Sequence, residues 1–312
     1  MLGKRLFAVV FLMVGCGLLM TARAQFTDPR TYTNGPVGLN DLEFDYYYAY
    51  ANASVDTSLV VGTEDLHLHK GNFSYTHNFD VFGHFAWANA SVPFASLSGA
   101  VNESGISSSA SGAGDASVEF AGLLMGGEAL GAEELATHTP TTSFGVSLTV
   151  TLPTGEYNAD ALLNIGANRW SFKPEIGLSY PFGPEGKWVV DAYINVLVFT
   201  DNTGYRGAQV LRQEPLPGLE GHISYRFAPR FWASLDSRYA FHGETSINGV
   251  QQNNSQQSFV VGTEAHFSPN SQNSLTLVFA KALVHRNAPA YTGIVVKFVH
   301  SWGGANGGPA HR

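Results

Sequence analysis

The stretch NRWSFKPEIGLSY, Asn168 to Tyr180, admits only one regular conformation. Wound as a helix, its charges share no face. Extended, Arg169, Ser171, Lys173, Glu175, Gly177 and Ser179 point one way, and Trp170, Phe172, Pro174, Ile176, Leu178 and Tyr180 point the other. One side is charged and the other greasy. The pattern recurs. Twelve alternating segments can be counted, from DLEFDYYYAYANA at Asp41 to TGIVVKFVHSW ending at Trp302, each bounded by turn chemistry.

The connections between them alternate in length. NFD, PFGPEG, APR and SPNSQN are short, whereas the connections after odd-numbered segments run long and polar, from Val55–Glu64 and Leu97–Gly114 to His285–Tyr291. An even number of strands with short turns at one end and long loops at the other is the layout of an outer-membrane barrel. Segments of about ten residues suit a tilted crossing of a bilayer core. The fold class expected is therefore all-β: a single antiparallel transmembrane β-barrel of about 12 strands, with long extracellular loops and short periplasmic turns. A soluble β-sandwich is the competing reading. Only 13% of residues are charged, which is low for a sandwich with a water-facing surface, and aromatics reach 12%.

The first 24 residues have the form of an export signal. Lys4 and Arg5 precede an apolar run from Leu6 to Met20, and Ala22-Arg23-Ala24 is a cleavage site that leaves Gln25 first. Gly15-Cys16 leaves a lipoprotein reading open, and Cys16 is the only cysteine. After Met20 no apolar run is long enough for a membrane helix. The organisation expected is a signal peptide over 1–24, a periplasmic segment over 25–40, a barrel over 41–302 and a flexible tail over 303–312. A net charge of −8 argues against nucleic acid as a partner.

LPTGEYNADALLNIGANRWSFKPEIGLSY carries a resemblance. Pro153-Thr154-Gly155-Glu156-Tyr157, Asn164 to Trp170, and then Phe172, Pro174, Gly177 and Tyr180 are similar to a family of exported bacterial proteins named for the meta-pathway of phenol degradation. Gly114-Asp115, FTDNTGYRG, QEPLPGLEGHISYRFAPRFWASLD and INGV extend the resemblance over most of the chain from Leu42 to Trp302. It implies an outer-membrane barrel that transports small molecules, with a link to catabolism of aromatic compounds. Membrane lipid, a small solute and the barrel-assembly machinery would be its partners. The tail GGANGGPAHR departs from barrels that end on an aromatic residue.

Catalysis finds little support. There is no Gly-x-Ser-x-Gly and no His-Glu-x-x-His. His67 and His69, with Asp65, could hold a metal from one strand face, although a wet pair at the barrel rim is the simpler reading. No cofactor is expected, and a non-enzymatic channel is favoured over a lipid-modifying barrel or an adhesive one acting through its loops. On the barrel reading, Asp41, Glu43, Asp45, Arg169, Lys173, Glu175, Asp191, Glu220, His222, Arg226, Asp236, Arg238, Glu264, His266 and Lys297 face the lumen, because a charge facing lipid costs about 2–4 kcal/mol at mid-depth. They either line a permeation path or fill the barrel with ion pairs. Pairs are expected between Lys297 and Glu43 or Asp45, between Asp191 and Arg169 or Lys173, and between the Asp236/Arg238 and Glu220/Arg226 sets. Twelve tilted strands enclose a backbone radius of roughly 12 Å, which predicts a narrow, polar channel suited to small solutes, or a plugged one.

Overall fold

The computed structural model describes residues 27–53, 64–101, 106–161 and 163–304. The stretch read as a leader with its cleavage site, and most of the expected tail, lie outside that part. Twelve strands form the wall: β1 (Leu39–Ala53), β2 (Glu64–Val81), β3 (His84–Val101), β4 (Ser117–Met125), β5 (Ser143–Thr151), β6 (Ser171–Phe182), β7 (Trp188–Phe199), β8 (Leu216–Ala228), β9 (Phe231–His242), β10 (Gln256–Phe267), β11 (Asn273–Arg286) and β12 (Ala290–Gly303). Each pairs antiparallel with the next. β12 closes on β1, with Leu39 opposite Gly303 and Asn52 opposite Ala290. Closure leaves the wall without an open edge, the condition for a sheet to cross lipid.

The greasy face is the outer one. Leu42, Phe73, Phe120, Ile176, Ile194, Leu235, Leu277 and Phe298 are all exposed on it. At the short-turn end the rings of Tyr180, Phe182, Trp188, Tyr225, Phe227 and Phe231 follow one another with centroids 4.6–6.0 Å apart, an interfacial girdle. Trp170 and Tyr180 are exposed near opposite ends of β6. Pro174 also faces outward. It pairs with Leu148 of β5, while the ladder to β7 passes from Phe172–Val198 straight to Glu175–Asn195 without a change of register. The missing N–H is thus met by a skipped rung rather than a bulge.

Five connections differ from the expectation. β2 runs through Asn78–Asp80 to Val81, and the turn is Phe82-Gly83, both with positive φ. Asp80 accepts the Gly83 N–H at 2.6 Å, which moves the reversal beyond the Asn-Phe-Asp signal. Between β11 and β12 only three residues intervene. The loop after β3 contains a strand, Ile106–Ala113, added to the edge of β3, and four short strands at 202–205, 209–213, 245–247 and 250–251 form a small sheet in the loops after β7 and β9.

Candidate functional site

The charged face is the inner one, yet it does not enclose open water. Of the thirteen lumen positions singled out as pore-lining, Asp45, Arg169, Lys173, Glu175, Asp191, Glu220, His222, Arg238, Glu264 and Lys297 are buried, and Glu43, Arg226 and Asp236 are half-buried. They are buried because the chain preceding β1 runs into the barrel from the short-turn end. Residues 25–40 were expected on the periplasmic side; instead the stretch from Thr27 to Tyr32 lies in the lumen.

Its anchors are specific. The Thr27 hydroxyl donates to the Glu175 carboxylate at 2.7 and 2.8 Å, and the Thr27 N–H donates to Glu220 Oε2 at 2.8 Å. Lys173 Nζ lies 3.1 Å from Glu175 Oε2, Arg238 Nε lies 3.5 Å from Glu220 Oε1, and Asn195 donates to both carboxylates. The two acids are thus neutralised by two bases while holding the plug's backbone and hydroxyl. One step along, the Arg30 N–H donates to Asp191 Oδ2 at 3.0 Å and its Nε to Ser224 at 2.8 Å. Burial pushes the Arg30 guanidinium down to about 10, with Asp191 opposing the shift, so it stays charged at neutral pH. Lys297 Nζ reaches Asp28 Oδ1 at 2.5 Å and Glu264 at 4.0 Å.

Tyr32 is the apolar anchor. It is fully buried among Phe85, Trp87, Leu123 and Tyr193, with edge-on contacts to Trp87 and Tyr193. Its hydroxyl lies 3.0 Å from both Ser147 Oγ and Glu175 Oε1. The ring occupies a slot left by Gly145 and Gly177, which sit opposite each other on β5 and β6. A Cβ on Gly145 would fall 2.6 Å from Tyr32, and one on Gly177 1.9 Å from it.

The expected ion pairs are found in part. Glu220 meets Arg238, while Asp45, one of the two partners expected for Lys297, stands opposite it in the closing register and the Lys297 ammonium reaches Asp28 and Glu264. Asp236 meets His222 at 2.8 Å rather than Arg226, because register places those two opposite each other. Asp191 stands opposite Ser179 and bonds to it and to Arg30, not to Arg169 or Lys173. Arg226 donates to the Glu185 carbonyl at the turn rim. Arg169 sits at the other mouth, donating to Gln213 and lying 4.2 Å from the Phe199 ring; burial pushes it down to about 10. His67 and His69 share a face, but the outer one, where their Nδ1 atoms bond Tyr48 and Tyr46. The Asp65 side chain lies outside the described part.

The loop-end mouth is closed by the 152–170 connection. Leu163 and Ile165 from this loop are buried with Ala49, Ala51, Leu66, Leu68, Ala95 and Leu97, and Tyr47 and Tyr291 pack beneath. Asp115 pins the loop: its two oxygens accept the N–H groups of Gly155 at 2.8 Å and Ala167 at 2.7 Å. Burial pushes this carboxyl up, and the backbone donors counter it. The Gly-Asp and Pro-Thr-Gly-Glu motifs are therefore two halves of one clamp.

Between plug and wall, space remains along β10–β12, β1 and β2. An upper chamber of about 130 Å³ lies under Tyr47 and Tyr291, against Val260, Val278, Ala280 and Val295. A lower one of about 170 Å³ opens among Asp41, Glu43, His266 and Asn273 toward the turn end. Asp28, Pro29, Glu264 and Lys297 line both and so form the partition between them. The plug could not be foreseen from local patterning; the one signal was a pair of glycines at inward positions of adjacent strands.

The chain matches the family model described as "Putative MetA-pathway of phenol degradation" over residues 36–298. Among solved structures it is similar to the COG4313 outer membrane channel from Pseudomonas putida F1, at 21% identity and a TM-score of 0.75, covering 89% of this chain and 100% of that one. It is also similar to the transport unit of the autotransporter AIDA-I from Escherichia coli, at 8% identity and a TM-score of 0.54, covering 94% and 99%. No curated protein matches it significantly.

Proposed function

The chain belongs to the MetA-pathway phenol-degradation family, and on that footing we propose that it is an outer-membrane channel for small solutes, aromatic compounds among them. The observation that carries this reading is the pair of chambers along one wall of an otherwise filled lumen. A solute passing from the loop end meets the Leu163/Ile165 closure, the upper chamber, the Asp28–Lys297 partition and the lower chamber in turn. The thirteen inward residues divide the work. Asp45, Glu264 and Lys297 border the path, with Glu43 in the lower chamber. Glu175, Glu220, Lys173, Arg238 and Asp191 hold the plug against the opposite wall. Arg169 stands at the loop-end mouth. His222 and Asp236 join the plug's socket to the path.

Export follows from the leader, cut after Ala24, so that Gln25 begins the mature chain and lies two residues from the Thr27 anchor. The assembly machinery of the outer membrane then inserts the barrel. The test is electrical. Folded, heat-modifiable protein in planar bilayers should conduct, and Arg169→Gln, at the loop-end mouth, should change its ion selectivity. Silence from both the native protein and a variant with its plug displaced would refute the channel.

A further inference from the structure

The lumen is rich in charge, but the open space in its upper chamber is not. The accessible walls there are mostly apolar. Val260, Val278, Ala280 and Val295 supply one side and the rings of Tyr47 and Tyr291 the top. Of the charged groups at its border, Asp28 turns to Lys297, Asp236 to His222 and Ser234, and Asp45 to Asn72. Water in such a space finds few polar partners, and an apolar cavity of about 150 Å³ in another protein stays dry and holds one benzene ring. The chamber, at about 130 Å³, is of that size.

Charge at the border argues against ions. Carboxylates (Asp28, Asp45, Asp236 and Glu264) and basic groups (Lys70, Lys297 and His222) are interspersed there, so an organic ion of either sign meets like charge as well as opposite. An organic cation would have to be stripped of water against walls that offer little in return.

We propose that the upper chamber is a binding site for a neutral, largely apolar molecule the size of one six-membered ring. This deepens the channel reading and rests on it for the molecule's arrival. The site excludes sugars and organic ions by the cost of desolvating them, rather than by the sign of a charged ring of residues.

The test uses the full mature chain refolded in detergent and four probes of similar size: phenol, cyclohexanol, benzoate and cyclohexylammonium. Saturation-transfer NMR and titration should detect the two neutral probes, with the two ions at background. Ala280→Phe projects a ring into the chamber from a half-buried wall position that belongs neither to the plug nor to an ion pair. It should weaken the neutral probes about tenfold or more. Val278→Phe is the second filler should the first fail to fold. Equal binding of the neutral probes to native and filled proteins would mean that they merely partition into micelles, and would overturn the site. Binding of benzoate or cyclohexylammonium that matches phenol would overturn its neutrality. Conductance without probe binding would remove the site and leave the channel; probe binding without conductance would do the reverse.

Discussion

Gly177→Val should displace the plug while leaving the barrel intact. Gly177 lies on β6 with its missing side chain aimed at Tyr32, where even a Cβ would stand 1.9 Å from the ring. Its φ is not in the left-handed region, so valine suits its backbone, and a β-branched residue suits a strand better than glycine does. The rungs to Gly145 and Tyr193 need no side chain and remain. The cost therefore falls on Tyr32. A tyrosine of its kind buries about 150–250 Å², and at about 25 cal/mol/Å² expulsion loses roughly 4–6 kcal/mol of docking. That is a shift of roughly a thousandfold or more between docked and undocked plug. Thr27, Asp28 and Arg30 still hold their partners, so the variant should flicker into wider states rather than stay open. Single-channel recording in planar bilayers reads this as new, larger conductance levels. Tyr32→Ala should reproduce them, and Gly177→Val added to Tyr32→Ala should do nothing more, because both act through one contact. A heat-modifiable Gly177→Val barrel with native conductance, or additive effects of the pair, would refute the reasoning.

Two further outcomes are expected. Asp115→Ala removes a half-buried carboxylate that holds two backbone donors, each bond contributing about 1.5–3 kcal/mol; the 152–170 loop should become protease-sensitive and the pore more often open, and a loop as resistant as the native one would count against the clamp. Lys297→Met leaves Asp28 and Glu264 without their shared cation at the partition. Because Asp28 is half exposed, the variant should lose only about 1–3 kcal/mol of stability, seen as a lower heat-modification midpoint, and its reversal potential in a salt gradient should move toward cation selectivity. An unchanged reversal potential would place the partition off the conducting path.

Much of the wall was legible because a strand's side chains alternate with a period of two. That rule alone sorted Lys173 and Glu175 from Ile176 and Leu178, counted twelve crossings and narrowed the position opposite Lys297 across the seam to Glu43 or Asp45, of which the register chose Asp45. It erred where register rather than parity decides. Asp236 met His222 instead of Arg226, and the turn after β2 fell two residues beyond its Asn-Phe-Asp signal. The histidines at 67 and 69 were rightly placed on one face, but they alternate with the buried, inward Leu66, Leu68 and Lys70, which puts that face outward.

In NRWSFKPEIGLSY itself the division is plain. The sequence alone determined that one face is charged and one greasy, and the lack of any other way to shield a strand's backbone in lipid made the greasy one the outside. Only the tertiary structure decided what the charged face does. Lys173 and Glu175 grip Thr27, and Gly177 makes room for Tyr32, both from a segment more than 140 residues earlier. No local period encodes a contact at that separation. It depends on which surfaces complement each other once the barrel has closed and left a hole to fill.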